Sequence, residues 1–327
     1  MKDFTLVRPQ RIVDAVAALR DGDRDRSTVL LAGGQDLLTE MKEHRVEPDR
    51  VVDVGGVPEM RRVAWMRDGG ARIVANTTLA ELAAAPRVRE ELTVLAEAVD
   101  SVASPQIRNV ATVGGNLNQR PRCWYFRNEE AFCLKKGGSV CFAANGMNKY
   151  NAILGGGPSY IVHPSDLAPA LIALDAGVTL EGPDGARTIP LAEYYRLPSE
   201  GDLTSETVRL PGEVVIAVYV PQQPQGLTST YLKFKERESY DWALASVALA
   251  VTKGAAGVEH ARMVLGGVAP KPWVVDVERV LRGKALGDAT ASAAADLALE
   301  GAKPLEHNGY KVPLTRGLVT RAFRKLA

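Results

Sequence analysis

The chain has 327 residues, enough for two or three domains, each with its own core. Forty basic against thirty-nine acidic residues leave a formal charge of +1, which gives no electrostatic footprint for nucleic acid or an anionic membrane. With 46% hydrophobic and 24% charged residues the composition is ordinary for a globular protein, and no apolar run approaches the roughly 20 residues that span a bilayer.

Met1-Lys2-Asp3-Phe4-Thr5 lacks a charged n-region and an apolar h-region, so a cytoplasmic location is expected, with periplasmic co-export beside a signal-bearing partner as the alternative. Apolar spacing predicts a helix over Ile12–Leu19 and a buried strand over Thr28–Leu31. The Ala32-Gly33-Gly34-Gln35-Asp36 turn follows, then a short helix from Leu37 to Met41 and strands at Val51–Val54 and Arg72–Ala75. Thr78 with Glu81 three residues on reads as a helix start, and one longer helix is expected from about Arg87 to Val102. Ser165 or Asp166 caps a helix through Leu171, and Pro183-Asp184-Gly185 turns between strands at Gly177–Leu180 and Arg187–Ile189. Val214–Val220 is a strand ended by Pro221, and Gln222–Gly226 is the most linker-like stretch. Beyond it come strands at Ser229–Phe234 and Met263–Leu265, mixed character over Ala243–Val251, and helices near Val275–Leu281 and Ala289–Ala298. The charged stretches Arg20–Arg26 and Lys233–Glu238 read as solvated faces.

Two turns and one cysteine cluster carry the chemistry. The Ala32–Asp36 turn between strand and helix suits an anion, because free N–H groups converge there. A second turn, Thr112-Val113-Gly114-Gly115-Asn116, adds a hydroxyl and a carboxamide. Neither has the Gly-x-Gly-x-x-Gly spacing of a Rossmann dinucleotide site. The only cysteines, Cys123, Cys133 and Cys141, fall within nineteen residues. Their spacing disfavours structural zinc and leaves an iron–sulfur cluster or three buried free thiols. Arg120, Arg122, Arg127, Lys135 and Lys136 would offset the negative charge of a thiolate-ligated cluster. His163, before Pro164, reads by default as a structural hydrogen-bonding residue, with a cluster ligand or flavin-pocket residue as the other options.

The order Ala-Gly-Gly-Gln-Asp, Thr-Val-Gly-Gly-Asn-Leu and His163-Pro164-Ser165-Asp166-Leu167-Ala168-Pro169-Ala170-Leu171 resembles the FAD-binding medium subunit of the xanthine dehydrogenase (molybdenum hydroxylase) family. The run Gln119-Arg120-Pro121-Arg122-Cys123-Trp124-Tyr125-Phe126-Arg127 resembles its branch with an extra [4Fe–4S] cluster, that of periplasmic aldehyde oxidoreductases and 4-hydroxybenzoyl-CoA reductases. The resemblance implies an α+β fold. A two-subdomain FAD-binding domain of the PCMH/VAO type would span 1–221, with a cysteine-bearing insertion at about 117–162. A smaller α/β C-terminal domain of the CO dehydrogenase flavoprotein type would span 227–327.

Position by position, the resemblance implies that Ala32, Gly33, Gly34, Gln35 and Asp36 wrap the FAD pyrophosphate, with Leu31 nearby. Thr112, Gly114, Gly115 and Asn116 would form a second wall, Asp166 a contact to the adenosine half or the sugar chain, and Leu210 and Lys233 contacts near the isoalloxazine. A solvated strand lysine is the alternative for Lys233. Cys123, Cys133 and Cys141 would ligate the cluster, with Ser159 where the branch has a fourth cysteine, hence a [4Fe–4S], three-iron or otherwise atypical form. The implied function is an oxidoreductase subunit in a three-subunit complex, passing electrons between iron–sulfur clusters and an external acceptor through FAD. Its partners would be a molybdenum-cofactor large subunit and a [2Fe–2S] small subunit. On this reading the chain has no substrate-oxidising site and no catalytic acid or base. The alternative is a free-standing FAD- or nucleotide-binding protein whose cysteine loop is a structural metal staple.

Overall fold

The computed structural model describes every residue except Asp21, Arg24, Asp25 and Ser239. Twelve strands form three sheets among the described residues. Strands β1 (Thr5–Val7), β2 (Thr28–Leu31) and β3 (Arg50–Asp53) make a small parallel sheet with β3 in the middle. Parallel pairing requires a crossover, and the Ile12–Leu19 and Leu37–Lys42 helices supply it.

Strands β4 (Val63–Trp65), β5 (Ala71–Val74), β6 (Gly177–Gly182), β7 (Gly185–Pro190) and β8 (Val214–Val220) form an antiparallel sheet ordered β4-β5-β8-β6-β7. Its helical layer includes Leu79–Ala84, whose start is a complete capping box: Thr78 Oγ1 accepts from Glu81 N at 3.1 Å, and Thr78 N donates to Glu81 at 2.7 Å. The single helix expected from about Arg87 to Val102 is instead two, Pro86–Glu91 and Thr93–Ser101, broken at Leu92 with φ −125° and ψ 51°. Leu92, Val94 and Leu95 all bury there, and the break lets both segments face the core.

The third sheet, ordered β12-β11-β10-β9, contains β9 (Thr228–Phe234), β10 (Ala245–Gly254), β11 (Gly257–Gly266) and β12 (Trp273–Val275). The mixed character over Ala243–Val251 resolves as the strand β10. Its first eight residues are all buried, so it lacks the alternation of a strand with one wet face. A 16-residue helix, Lys311–Leu326, packs on this sheet through Leu318, Val319, Ala322 and Phe323. Sequence reading did not foresee it: Pro313 and Gly317 interrupt the helical signal, though Pro313 sits in the first turn, where no intrahelical N–H is needed.

The main core joins the first two sheets to the third, since Tyr231, Ala248, Ala250 and Val264 cluster with Leu95, Val99 and Leu171. Each leucine buried in this way contributes about 2 kcal/mol. Two of the stretches read as solvated faces differ from that reading. Asp23 is buried against Arg209 at 2.6 Å, and Lys233 is buried within β9; Asp21, Arg24 and Asp25 lie outside the described residues. No helix among the described residues is long and apolar enough to cross a membrane.

Candidate functional site

A cavity of about 920 Å³ opens between the parallel sheet, the antiparallel sheet and β9. Every residue expected to touch a cofactor lines it except Leu31, whose side chain packs into the small core around Val29, Met41 and Val51.

The two glycine turns reach the cavity in different ways. In the Ala32–Asp36 turn the N–H groups of Gly33, Gly34, Gln35 and Asp36 donate to no protein acceptor among the described residues. Gly34 has φ +72°, a left-handed conformation that glycine adopts freely. A β-carbon on Gly33 would stand 2.0 Å from the Val110 carbonyl oxygen, so glycine is needed there for the chain's own crossing as much as for a ligand. In the second turn the donors are already used. Thr112 Oγ1 accepts from Gly115 N at 3.1 Å, Gly114 N donates to Ala75 O at 2.8 Å, and Asn116 N donates to Thr112 O at 2.8 Å. This turn therefore presents a close-packed wall rather than a ring of free amides. The Ser165 hydroxyl donates to Asn116 Oδ1 at 2.6 Å and orients the carboxamide.

Asp36 links the first turn to the cysteine-bearing stretch. Its carboxylate accepts from Arg120 N at 2.7 Å, Arg122 Nη1 at 2.6 Å and Arg127 Nη2 at 2.9 Å. Burial alone would raise this carboxyl, but the Arg122 and Arg127 charges outweigh it and hold it below the usual carboxylate range. Burial likewise acts first on Arg122, lowering it to about 10 against the pull of Asp36. Glu206, eighty-six residues along the chain from Arg120 and 10% exposed at its side chain, takes Arg120 at 3.0 Å and Lys135 at 2.9 Å. The basic residues expected to offset a cluster's charge thus neutralise protein carboxylates instead. Lys136 is the exception, donating to the Asn128 carbonyl.

Asp166 does not cap its helix. Ser165 does, its Oγ accepting from Ala168 N at 3.0 Å. The Asp166 carboxylate faces the third sheet, where Tyr231 donates at 2.7 Å and Lys233 at 2.8 Å. The Lys233 side chain is 3% exposed, which rules out the solvated-lysine option. Leu210 is 57% exposed at the cavity edge, its N–H held by Glu213.

The cysteines depart from expectation. Among the described residues no three His, Cys, Asp or Glu side chains are gathered as ligands of a metal ion. Cys123, Cys133 and Cys141 each precede a separate short helical turn: Trp124–Arg127, Leu134–Lys136 and Phe142–Ala144. The Arg127–Asp36 salt bridge holds the first of these turns and the Lys135–Glu206 salt bridge the second. Burial pushes the Cys123 thiol up despite a hydrogen bond from Asn151 Nδ2 at 3.6 Å. Ser159 is 2% exposed, and its carbonyl accepts from Gly157 N. With three thiols and no fourth, the donor set does not fit an all-thiolate cluster.

His163 lines the cavity at 4% exposure, and its backbone N–H donates to the Ala269 carbonyl at 3.0 Å. Burial lowers it to about 4, so the ring is neutral at physiological pH. Sequence reading missed Glu206, Tyr231 and Trp242, all distant in the chain from the motifs they support; only the fold brings them together.

Residues 2–223 match the family described as the FAD binding domain in molybdopterin dehydrogenase, and residues 229–326 match the CO dehydrogenase flavoprotein C-terminal domain. The aldehyde oxidoreductase FAD-binding subunit PaoB of Escherichia coli (strain K12) is 37% identical over 97% of this chain and 96% of its own. The carbon monoxide dehydrogenase medium chain of Hydrogenophaga pseudoflava is 32% identical over 98% and 96%. A solved carbon monoxide dehydrogenase from Hydrogenophaga pseudoflava superposes with a TM-score of 0.77 at 28% identity, covering 98% of this chain and 96% of that one. These relatives are subunits of oxidoreductases. The chain belongs to the FAD-binding medium subunits of the xanthine dehydrogenase and carbon monoxide dehydrogenase family.

Proposed function

We propose that the cavity holds one FAD, non-covalently, with its pyrophosphate on the unpartnered amides of Gly33, Gly34, Gln35 and Asp36. Those four N–H groups carry the reading: they line a cavity large enough for a dinucleotide, and among the described residues no protein acceptor satisfies them. Thr112, Gly114, Gly115 and Asn116 form the wall along the sugar chain. The Asp166–Lys233 pair fixes the floor where the third sheet meets the cavity, and Leu210 covers one edge. Bound flavin supplies reversible one- and two-electron chemistry; the residues here bind it, orient it and exclude water.

The chain then acts as the electron-exchange subunit of a complex with a molybdenum-cofactor large subunit and a [2Fe–2S] small subunit, delivering electrons to an external acceptor. The kinship with PaoB and with the carbon monoxide dehydrogenase medium chain supports this arrangement. A cluster on the insertion would require Cys123, Cys133, Cys141 and Ser159 to gather from the positions described, and iron and sulfide analysis after anaerobic reconstitution decides it. The test of the main reading is the absorbance spectrum of the purified chain after incubation with FAD and gel filtration. Retained flavin absorbance at one equivalent is expected. Absence of flavin both in the isolated chain and in the complex with its partners refutes the reading.

A further inference from the structure

The insertion touches the C-terminal domain at the cavity mouth as well as the Asp36 turn. Arg122, already bound to Asp36, lays its guanidinium over the Trp242 ring with 4.7 Å to the centroid. Farther along the insertion, Lys149 pairs with Glu236, and the Tyr150 hydroxyl donates to the same carboxylate at 2.6 Å. Trp124 stands edge-on to Tyr150 at 5.3 Å, which limits the tyrosine's freedom. Tyr240, Asp241 and Trp242 come from the connection between β9 and β10 and line the cavity. Tyr240 and Trp242 are 58% and 46% exposed, so their own packing does little to hold them.

We propose that the insertion pins Glu236 and Trp242, which flank Tyr240 in sequence, at the cavity mouth and so slows departure of the bound dinucleotide, a role that rests on the FAD reading above. One exposed ion pair stabilises little. Here there are two anchors, Arg122 on Trp242 and Lys149 with Tyr150 on Glu236, both on the connection between β9 and β10. Opening the mouth requires releasing both. Glu236 lies outside the cavity lining, so it is a positioning residue that acts through the wall it holds.

The test uses the full-length chain loaded with FAD, as wild type, Glu236→Ala, Glu236→Gln and Trp242→Leu. FAD release is followed by stopped flow into an excess of apoflavoprotein trap, and iodide quenching of flavin fluorescence reports access to the mouth. Glu236→Ala should release FAD about fivefold faster, as loss of one net hydrogen bond predicts, and should show stronger quenching. Glu236→Gln keeps an acceptor for Tyr150 and should fall between. Trp242→Leu should match or exceed Glu236→Ala. Wild-type release and quenching in Glu236→Ala, with FAD held normally by the wild type, overturns the proposal. A wild-type chain that takes up no FAD at all overturns the FAD reading first and this one with it.

Discussion

Gly33 and Gly115 look alike in sequence yet sit under different constraints. A β-carbon at Gly33 meets the Val110 carbonyl oxygen at 2.0 Å, whereas at Gly115 it meets the Thr112 hydroxyl at 3.0 Å. Gly33→Ala should therefore move the turn and abolish FAD uptake, while Gly115→Ala should retain binding within about tenfold, because a hydroxyl rotates more readily than a backbone moves. Isothermal titration with FAD separates the two, and equal losses would show that ligand contact, not chain crossing, sets both. The Asp166–Lys233 pair offers a second contrast. Both side chains are buried, at 6% and 3% exposure. Lys233→Met strands a buried carboxylate and should cost about 3 kcal/mol, while adding Asp166→Asn should recover part of that loss. Denaturant titration of the single and double variants checks it, and additive losses would mean the charges do not interact.

Among the elements, the cysteine-bearing stretch is tied down by two acidic anchors, Asp36 and Glu206, and its stability follows their ionisation. Burial would raise Glu206, but Arg120 and Lys135 hold it below the usual range; at Lys135 burial wins over the pull of Glu206, so that lysine is lowered. A depressed carboxyl contributes stability that is present above its unfolded pKa, about 4.3, and lost as pH falls through the lower folded value. The insertion should therefore loosen below about pH 4. Glu206→Gln should loosen it at pH 7, by about 3 kcal/mol for two cations left without their partner. Limited proteolysis within residues 117–162, with the sheets left intact, is the expected readout; unchanged cleavage would remove Glu206 from this role. The glycine turns, the capping box at Thr78 and most strands were legible in sequence, because local spacing and turn chemistry dictate them. The partners of the arginines were not. Asp36 and Glu206 lie eighty or more residues from Arg120, and only the packed fold shows that they, rather than metal-bound thiolates, answer its charge. The Lys311–Leu326 helix was hidden by Pro313 and Gly317, which local rules penalise and the apolar face of the third sheet overrides.

Across the whole molecule, one stretch of the first domain is stitched into the C-terminal domain through its backbone. Asn308 Nδ2 donates to the carbonyls of Asn151 and Ala152, Lys303 N to Ile153 O, and Ile153 and Leu154 N to Val268 O. Lys311 closes the seam, its amine donating to Tyr150 O at 2.9 Å and Gly267 O at 2.8 Å. Among the described residues no carboxylate pairs with it, and burial lowers its pKa from 10.5 to about 7. Between these values the folded chain gives up the proton and the unfolded chain keeps it, so stability rises with pH from about 7 toward 10 and falls on the way back. A neutral amine still has two hydrogens for the two carbonyls, so the seam survives deprotonation. Wild type should be more stable at pH 9 than at pH 7 by up to about 2 kcal/mol from this group alone. Lys311→Met should remove that increment and leave any slope due to other groups. Urea titrations of both chains at the two pH values measure the difference. Parallel pH dependences would mean that Lys311 stays protonated in the folded state, its charge carried by the two carbonyl dipoles, and that the domain junction is insensitive to pH.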